Sequence, residues 1–443
     1  MKKILVLGSG LVSRPGISYL LKINDLFVTV ADKFTENAEN LVEGYKNGKA
    51  VKIDVNDNSA LENLIKSNDI IVSLLPWIFH VKVAELALKN GKHMATASYV
   101  SDGMRRLDDE AKKRGLLFLN EIGVDPGIDH MSAMKIIDEV HADGGKIVDF
   151  YSYCGGLPAP DDNDNPFGYK FSWSPRGVVL ASGNSARFLE HGKIVEIKGK
   201  DLFLNYRVET VEGLGEFEVY PNRDSLPYKE LYGINEAETV MRGTYRNLGW
   251  CDTFKGIVDL GLVDETKREN LKGVTYKEMI ASLVGAETTD DIRGKVAAKL
   301  GIKKDSSVLE RLSWLGLFDS KTVPDKNNYL DILSDLLLQK LRYKGGERDM
   351  LLLRHKFIVE NRDGSKNIIT STMIDFGIPG GDSSMARTVS LPLAIGVKLM
   401  AQGGFDNLTG VKIPIIKDIY SPVLKELKTL GIEMVEKKIP YTG

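Results

Sequence analysis

The turn Gly8-Ser9-Gly10-Leu11-Val12-Ser13 follows a short apolar run and precedes a helical pattern that begins after Pro15. Glycine at 8 permits a tight reversal, and glycine at 10 lets the backbone approach a pyrophosphate closely. The following helix turns unpaired N–H groups and the positive end of its dipole towards the phosphates. Ser9, Leu11 and Val12 belong to the same cradle, and Ser13 replaces a third glycine while staying small enough for fairly close helix–strand packing. Chemistry of this kind holds a dinucleotide.

Asp32 ends the second apolar run, about 20 residues past the glycines. A carboxylate there accepts hydrogen bonds from ribose hydroxyls and repels a 2′-phosphate, so NAD is the expected cofactor. NADP stays open, because Lys33 could neutralise Asp32 or reach a phosphate itself. Asp54 ends the third run, where it either contacts the adenine amino group or caps the next turn. Ser73-Leu74-Leu75-Pro76 ends the fourth run at the sheet's carboxyl edge, and Leu75 would supply shape and backbone contact there.

These residues need a scaffold. Apolar runs at 3–8, 26–31, 50–54, 70–75, 93–97 and 116–120 alternate with amphipathic stretches such as 36–45, 81–89 and 104–114. Strands alternating with helices predict a parallel sheet covered on both faces, and six of them match an N-terminal Rossmann doubly wound domain over residues 1–125. Beyond residue 124 the pattern becomes α+β with a mainly antiparallel sheet over 126–248 and 342–389. It includes a helix at 129–139, a strand at 146–154 and a hairpin turning at Asp363-Gly364. Residues 249–341 read as a helical insertion. Residues 390–443, with helices at 390–401 and 421–430 and a strand at 433–437, are expected to pack back on the first domain.

Composition narrows the class. Hydrophobic residues make up 43% and charged residues 27%, as in a globular chain, and 59 basic against 61 acidic residues point to neither nucleic acid nor an anionic membrane as partner. Two cysteines, Cys154 and Cys251, form no disulfide framework and fit a reducing compartment. With no signal-peptide pattern and no apolar stretch near the roughly 20 residues of a spanning helix, a cytoplasmic location is expected.

Several segments are too polar and too rich in glycine and proline to be core. They are Thr96-Ala97-Ser98-Tyr99, Glu121-Ile122-Gly123-Val124-Asp125-Pro126-Gly127-Ile128-Asp129-His130 and Ser152-Tyr153-Cys154-Gly155-Gly156-Leu157-Pro158-Ala159-Pro160. Others are Tyr169-Lys170-Phe171-Ser172-Trp173-Ser174-Pro175, Tyr220-Pro221-Asn222-Arg223-Asp224-Ser225 and Met241-Arg242-Gly243-Thr244-Tyr245-Arg246. Together they resemble the glutamate-forming saccharopine dehydrogenases, densely from residue 2 to about 262 and again at 347–377.

The resemblance implies hydride transfer from the secondary amine of saccharopine to NAD, followed by imine hydrolysis to glutamate and 2-aminoadipate 6-semialdehyde. It also implies that the α+β part binds substrate and dimerises, giving a homodimer. The site must then hold a tricarboxylate, and planar guanidinium donors suit it, so Arg223 and Arg246 are the expected clamps. Arg242 and Arg246 both compete with a bracing role in the sheet, and Arg223 competes with a surface pair to Asp224. Matching motifs place Ser98, Tyr99, Asp125, Thr244 and Tyr245 at the substrate, and Ser98, Val124, Pro126 and Ser174 at the cofactor. Asp125, Tyr99 and Cys154 are the acid–base candidates, although Cys154 could equally be a small buried hydrophobe.

His130 is read as satisfying backbone groups, and the other histidines share no ligand spacing. Asp161-Asp162-Asn163-Asp164 lacks a calcium-loop pattern, so it reads as a solvated loop or lid, and no metal is expected. Other readings are an NADPH-dependent saccharopine reductase of lysine biosynthesis, a carboxynorspermidine dehydrogenase and a non-catalytic dinucleotide-binding scaffold.

Overall fold

The computed structural model describes residues 1–442. Its strands in chain order begin with β1 (Lys2–Leu7), β2 (Leu26–Asp32), β3 (Gly48–Lys52), β4 (Ile70–Ser73), β5 (His93–Ala95) and β6 (Leu117–Leu119). Next come β7 (Lys146–Pro158), β8 (Ala186–Glu190), β9 (Lys193–Ile197), β10 (Arg207–Val211), β11 (Gly215–Pro221) and β12 (Thr239–Arg246). The last are β13 (Asp349–Glu360), β14 (Lys366–Phe376), β15 (Gly410–Lys412) and β16 (Val435–Pro440). The chain divides into two compact units, one of Met1–Gly145 with Ser371–Lys437, the other of Lys146–Thr370 with the residues from Lys438 on.

The first unit carries a seven-stranded sheet in the order β15-β6-β5-β4-β1-β2-β3, every pair parallel. Ile4, Leu5, Val6 and Leu7 on the central strand are essentially inaccessible, as expected of a parallel sheet buried on both faces. Strand order reverses between β1 and β4, which leaves a crevice at their carboxyl ends. The helix Arg14–Leu21 rests on the helix Ser384–Ala401. Gly16 permits that approach: a Cβ there would lie 2.6 Å from the Ser390 carbonyl, and the Gly16 N–H donates to Ser390 Oγ at 2.9 Å.

Several elements differ from expectation, two of them helical. The 104–114 stretch breaks into Asp102–Arg105 and Asp108–Lys113, the first capped by the Ser101 hydroxyl. The helix expected at 390 starts at Ser384 instead, because the Ser383 side chain caps it by accepting from Ala386 N–H, and it continues through Pro392.

The second unit is built on a mixed sheet ordered β10-β11-β12-β7-β13-β14-β16, with β8 pairing β12 and β9. β12 and β7 run parallel, while β10–β11, β11–β12, β7–β13 and β8–β9 are antiparallel. Gly155 on β7 faces Tyr245 on β12 so closely that a Cβ would lie 2.7 Å from the tyrosine carbonyl, which explains a glycine at this place in the strand. The helices Trp250–Asp259, Tyr276–Leu283, Ile292–Leu300, Ser307–Leu315 and Tyr329–Lys340 occupy the stretch between β12 and β13. Among the described residues no helix is long and apolar enough to cross a membrane.

Candidate active site

At the crevice of the first unit, Gly8 has φ +104° and sits against Leu74, whose carbonyl would lie 3.0 Å from a Cβ. Around Gly10 the space is open. Ser13 donates through N–H and Oγ to the Gly10 carbonyl, at 3.0 and 2.7 Å, closing the turn. Among the described residues the N–H groups of Gly10, Leu11 and Val12 find no hydrogen-bond acceptor, which leaves three donors for an anion. Such a cradle fits a dinucleotide pyrophosphate.

Asp32 is already engaged. Its Oδ2 accepts from Ser9 N–H at 2.7 Å and Ser9 Oγ at 2.8 Å, and its Oδ1 accepts from Phe34 N–H at 3.0 Å. Partial burial works against ionisation, yet the hydrogen bonds from Phe34 and Ser9 hold the carboxyl below the usual range. Lys33 neutralises Asp54, not Asp32, across 3.2 Å. Hydrogen bonds from Asn56, with Lys33 beside it, hold Asp54 below the usual range as well. Asp32 thus ties the glycine turn to the end of β2.

Along the same edge, Tyr99 donates its phenolic hydrogen to Asp125 Oδ1 at 2.9 Å. Asp125 follows β6 in the run 121–130, where every other residue is buried, so the turn presents this carboxylate alone. Val124 and Pro126 on either side are buried and shape the turn, and Gly123 N–H donates to the Pro126 carbonyl at 2.9 Å. Asp129 holds the turn from within the helix Ile128–Ala142 by accepting from Gly127 N–H at 2.6 Å.

Glu121 stitches the two loops together. Its Oε1 accepts from Val100 N–H and its Oε2 meets His130 Nε2, each at 2.8 Å. His130 thus pairs with a buried carboxylate, a partner that its place in the motif did not foretell. Sequence reading also passed over His80. Its Nδ1 lies 2.8 Å from Ser73 Oγ and its Nε2 2.7 Å from Ser98 Oγ. Leu75 follows Ser73 at the crevice and is half-buried.

The second unit gathers Thr244, Arg246 and Cys154. Thr244 and Arg246 share one face of β12 by strand alternation, and Cys154 on β7 stands beside Thr244. Arg246 is buried, its guanidinium lying 4.9 Å from the ring of Tyr169, 5.1 Å from Trp250 and 5.9 Å from Tyr220. One of its N–H groups donates to the Tyr245 carbonyl at 2.8 Å, while its Nε has no partner. The Tyr169 hydroxyl and Trp250 Nε1 are likewise buried and unpartnered. A buried guanidinium and two further donors around it make a place for a carboxylate.

Tyr245 does not belong to this group. Its ring lies on the opposite face of β12, packed by Tyr153 at 5.6 Å and Phe217 at 5.9 Å, so the side chain stands apart from those of Thr244 and Arg246. Arg242 braces the sheet, buried and donating to Tyr228 Oη at 2.6 Å. Arg223 is exposed at φ +55°, and Asp224 is held by Arg187 at 2.7 Å. Ser174, expected at the cofactor, caps the helix Pro175–Ala181 by accepting from Gly177 N–H at 3.2 Å. The acidic loop is pinned by cations: Asp164 pairs with Lys170 and Lys344, and Asp161 and Asp162 with Arg348. The thiol of Cys251 is buried and pushed far up by that burial.

An all-parallel sheet with unpaired turn N–H groups at its reversal point defines the first unit as a dinucleotide-binding α/β domain. Family models place the rest. Residues 4–119 match the saccharopine dehydrogenase NADP binding domain, and residues 123–432 match the saccharopine dehydrogenase C-terminal domain. The chain belongs to the saccharopine dehydrogenase family. It is 43% identical over 99% of both chains to the saccharopine dehydrogenase [NADP(+), L-glutamate-forming] of Schizosaccharomyces pombe. Identity to the Saccharomyces cerevisiae enzyme of that name is 42%, again over 99% of both chains. The apo structure of the L-Glu-forming Saccharomyces cerevisiae enzyme superposes with a TM-score of 0.91 over 99% of this chain and 100% of that one. NADP, not NAD, stands in the names of these relatives and of the matching domain model.

Proposed function

We propose that this protein is an NADP-dependent, glutamate-forming saccharopine dehydrogenase of lysine metabolism. The observation that carries this reading is full-length identity above 40% to relatives named for that reaction. NADP, when bound, would accept a hydride. Because nitrogen leaves with glutamate, that hydride comes from the methylene carbon beside the nitrogen on the aminoadipate side. The nitrogen loses its proton as the imine forms, and water then adds at that carbon to release the semialdehyde.

Residues of this chain take the following parts. Gly10, Leu11 and Val12 offer N–H donors to the pyrophosphate, and Lys33 stands at the end of β2 as the cation for a 2′-phosphate. Asp125, supported by the Tyr99 hydroxyl, takes up the proton from nitrogen and returns protons as water adds. Arg246 receives a substrate carboxylate, with Thr244 beside it, and Arg223 contributes a second guanidinium. Cys154, half-buried and next to Thr244, lines the same sheet face. A homodimer in the cytoplasm completes the proposal; sedimentation equilibrium checks the first part.

The deciding experiment is turnover of saccharopine by the purified protein with NADP+ and with NAD+, read as absorbance of the reduced cofactor. Turnover with NADP+ at the higher kcat/KM is expected. A preference for NAD+ would return the cofactor assignment to the first reading, and no turnover with either would remove the enzyme assignment.

A further inference from the structure

We propose that Ser73 and His80 are positioning residues that fix the Ser98 hydroxyl as a hydrogen-bond donor towards an acceptor oxygen of the bound ligand.

The inference follows from counting hydrogens along a buried chain of three side chains. Ser73, the last residue of β4, is fully buried. Its carbonyl accepts from Thr96 Oγ1 at 2.9 Å, and its hydroxyl touches one polar group, His80 Nδ1, at 2.8 Å. A hydroxyl in that position must place its single hydrogen on Nδ1, since no other acceptor among the described residues is in reach. Nδ1 is therefore the unprotonated nitrogen, and Nε2 carries the proton. The ring stays neutral because burial pushes its pKa down to about 4.

Nε2–H then donates to Ser98 Oγ at 2.7 Å. Ser98 receives a hydrogen from within the fold, so its own hydrogen is left for a partner outside the chain of three. The backbone of Ser98 is fixed as well: its carbonyl accepts from Glu121 N–H at 3.1 Å, and its N–H donates to Thr96 Oγ1 at 3.3 Å. The opposite polarity would strand a hydroxyl hydrogen at Ser73, whose side chain is fully buried. Ser98 itself is half-buried at the crevice, next to Tyr99. The partner chemistry is an oxygen acceptor, either a substrate carboxylate or the carboxamide of a nicotinamide.

This inference rests on the saccharopine dehydrogenase reading for its ligand, but not for the orientation of the hydroxyl. Two measurements on the full-length protein test it. In the first, the histidines are labelled with 15N and the His80 ring is assigned by its loss in His80→Phe. The Nε2-protonated tautomer is expected at neutral pH. An Nδ1-protonated ring would overturn the proposal whether or not the protein turns over saccharopine.

In the second, initial rates are measured for Ser98→Ala, His80→Phe and the double variant. Each single variant is expected to lose about 10- to 100-fold in kcat/KM, and the double variant to lose no more than Ser98→Ala. Ser98→Thr, which keeps the hydroxyl, is expected to retain activity. A rise in KM for saccharopine identifies a carboxylate as the acceptor, and a rise in KM for NADP+ identifies the carboxamide. Additive losses in the double variant, or full activity of His80→Phe, would overturn the proposal. Absence of turnover in the unaltered protein would sink the enzymatic reading while the tautomer measurement still decided the relay.

Discussion

Tyr99 donates to Asp125 across 2.9 Å, although 26 residues separate them in the chain. The two loops that carry them follow neighbouring parallel strands, β5 and β6, and Glu121 binds one loop to the other. Parallel neighbours deliver the ends of both strands to one edge, so residues distant in sequence meet there. A phenol donating to a carboxylate gives that edge a group that can take a proton and a second that steadies it.

Removing the carboxylate should therefore hurt more than removing the phenol. Asp125→Asn is expected to lower kcat by about 100- to 10,000-fold, the range of general acid–base contributions. Tyr99→Phe is expected to lose about 10-fold through the missing hydrogen bond. Steady-state rates with saccharopine and NADP+ check both, and equal losses would mean the phenol has a part of its own.

Arg246 is buried among three aromatic rings with its Nε unpartnered. Arg246→Lys keeps the charge and loses the planar fork, so KM for saccharopine should rise about 10- to 100-fold while KM for NADP+ holds steady. Arg223→Ala should show the same split between substrate and cofactor. If either variant raised the cofactor KM instead, its assignment to substrate would be wrong.

Asp32 and Ser9 form one unit with the glycine turn. Asp32→Ala is expected to raise KM for NADP+ and NAD+ alike, by about 10-fold, because it loosens the shared pyrophosphate cradle. Lys33→Ala should weaken NADP+ about 5- to 10-fold and leave NAD+ nearly unchanged. Improved NADP+ binding in Asp32→Ala would instead show that the carboxylate faces the 2′-phosphate.

His80 makes stability depend on pH. Its folded-state pKa, about 4, lies below the ordinary value of 6.5. Above pH 6.5 the ring is neutral folded or unfolded, so nothing changes there. Between pH 6.5 and 4 the unfolded chain takes up a proton that the folded chain refuses, and stability falls by about 3 kcal/mol in total. Denaturant midpoints measured across that window should fall more steeply for the parent protein than for His80→Phe; parallel slopes would refute the assignment.

Gly155 offers a test of packing. A methyl group there would meet both the Cβ and the carbonyl of Tyr245 at 2.7 Å. Gly155→Ala is expected to destabilise by about 1–3 kcal/mol, seen as a lower urea midpoint with an unchanged slope. An unchanged midpoint would mean that β7 and β12 can spread without cost.

Much of the first unit was legible because its signals are local. Six apolar runs become six strands, and Gly8 with φ +104° sits where the turn was read. The strand β15 escaped notice, since three residues carry too little pattern and pair only with a strand far away in sequence. The second unit was harder. Its strands β8 to β12 lie between irregular segments, and which face a residue takes depends on register, so Tyr245 could not be separated from Thr244 and Arg246 by motif alone.

Sequence by itself determined the doubly wound sheet, the glycine cradle and the family, because periodicity, turn chemistry and motif order are written along the chain. Tertiary structure decided which polar groups remain available. Asp32 is one carboxylate at a strand end in the sequence; in the fold it accepts from Ser9 and Phe34 and so anchors the glycine turn. His80 looked like one histidine among six until it was found between Ser73 and Ser98. A residue type states what a side chain can donate or accept; only the fold states which of those bonds are already made.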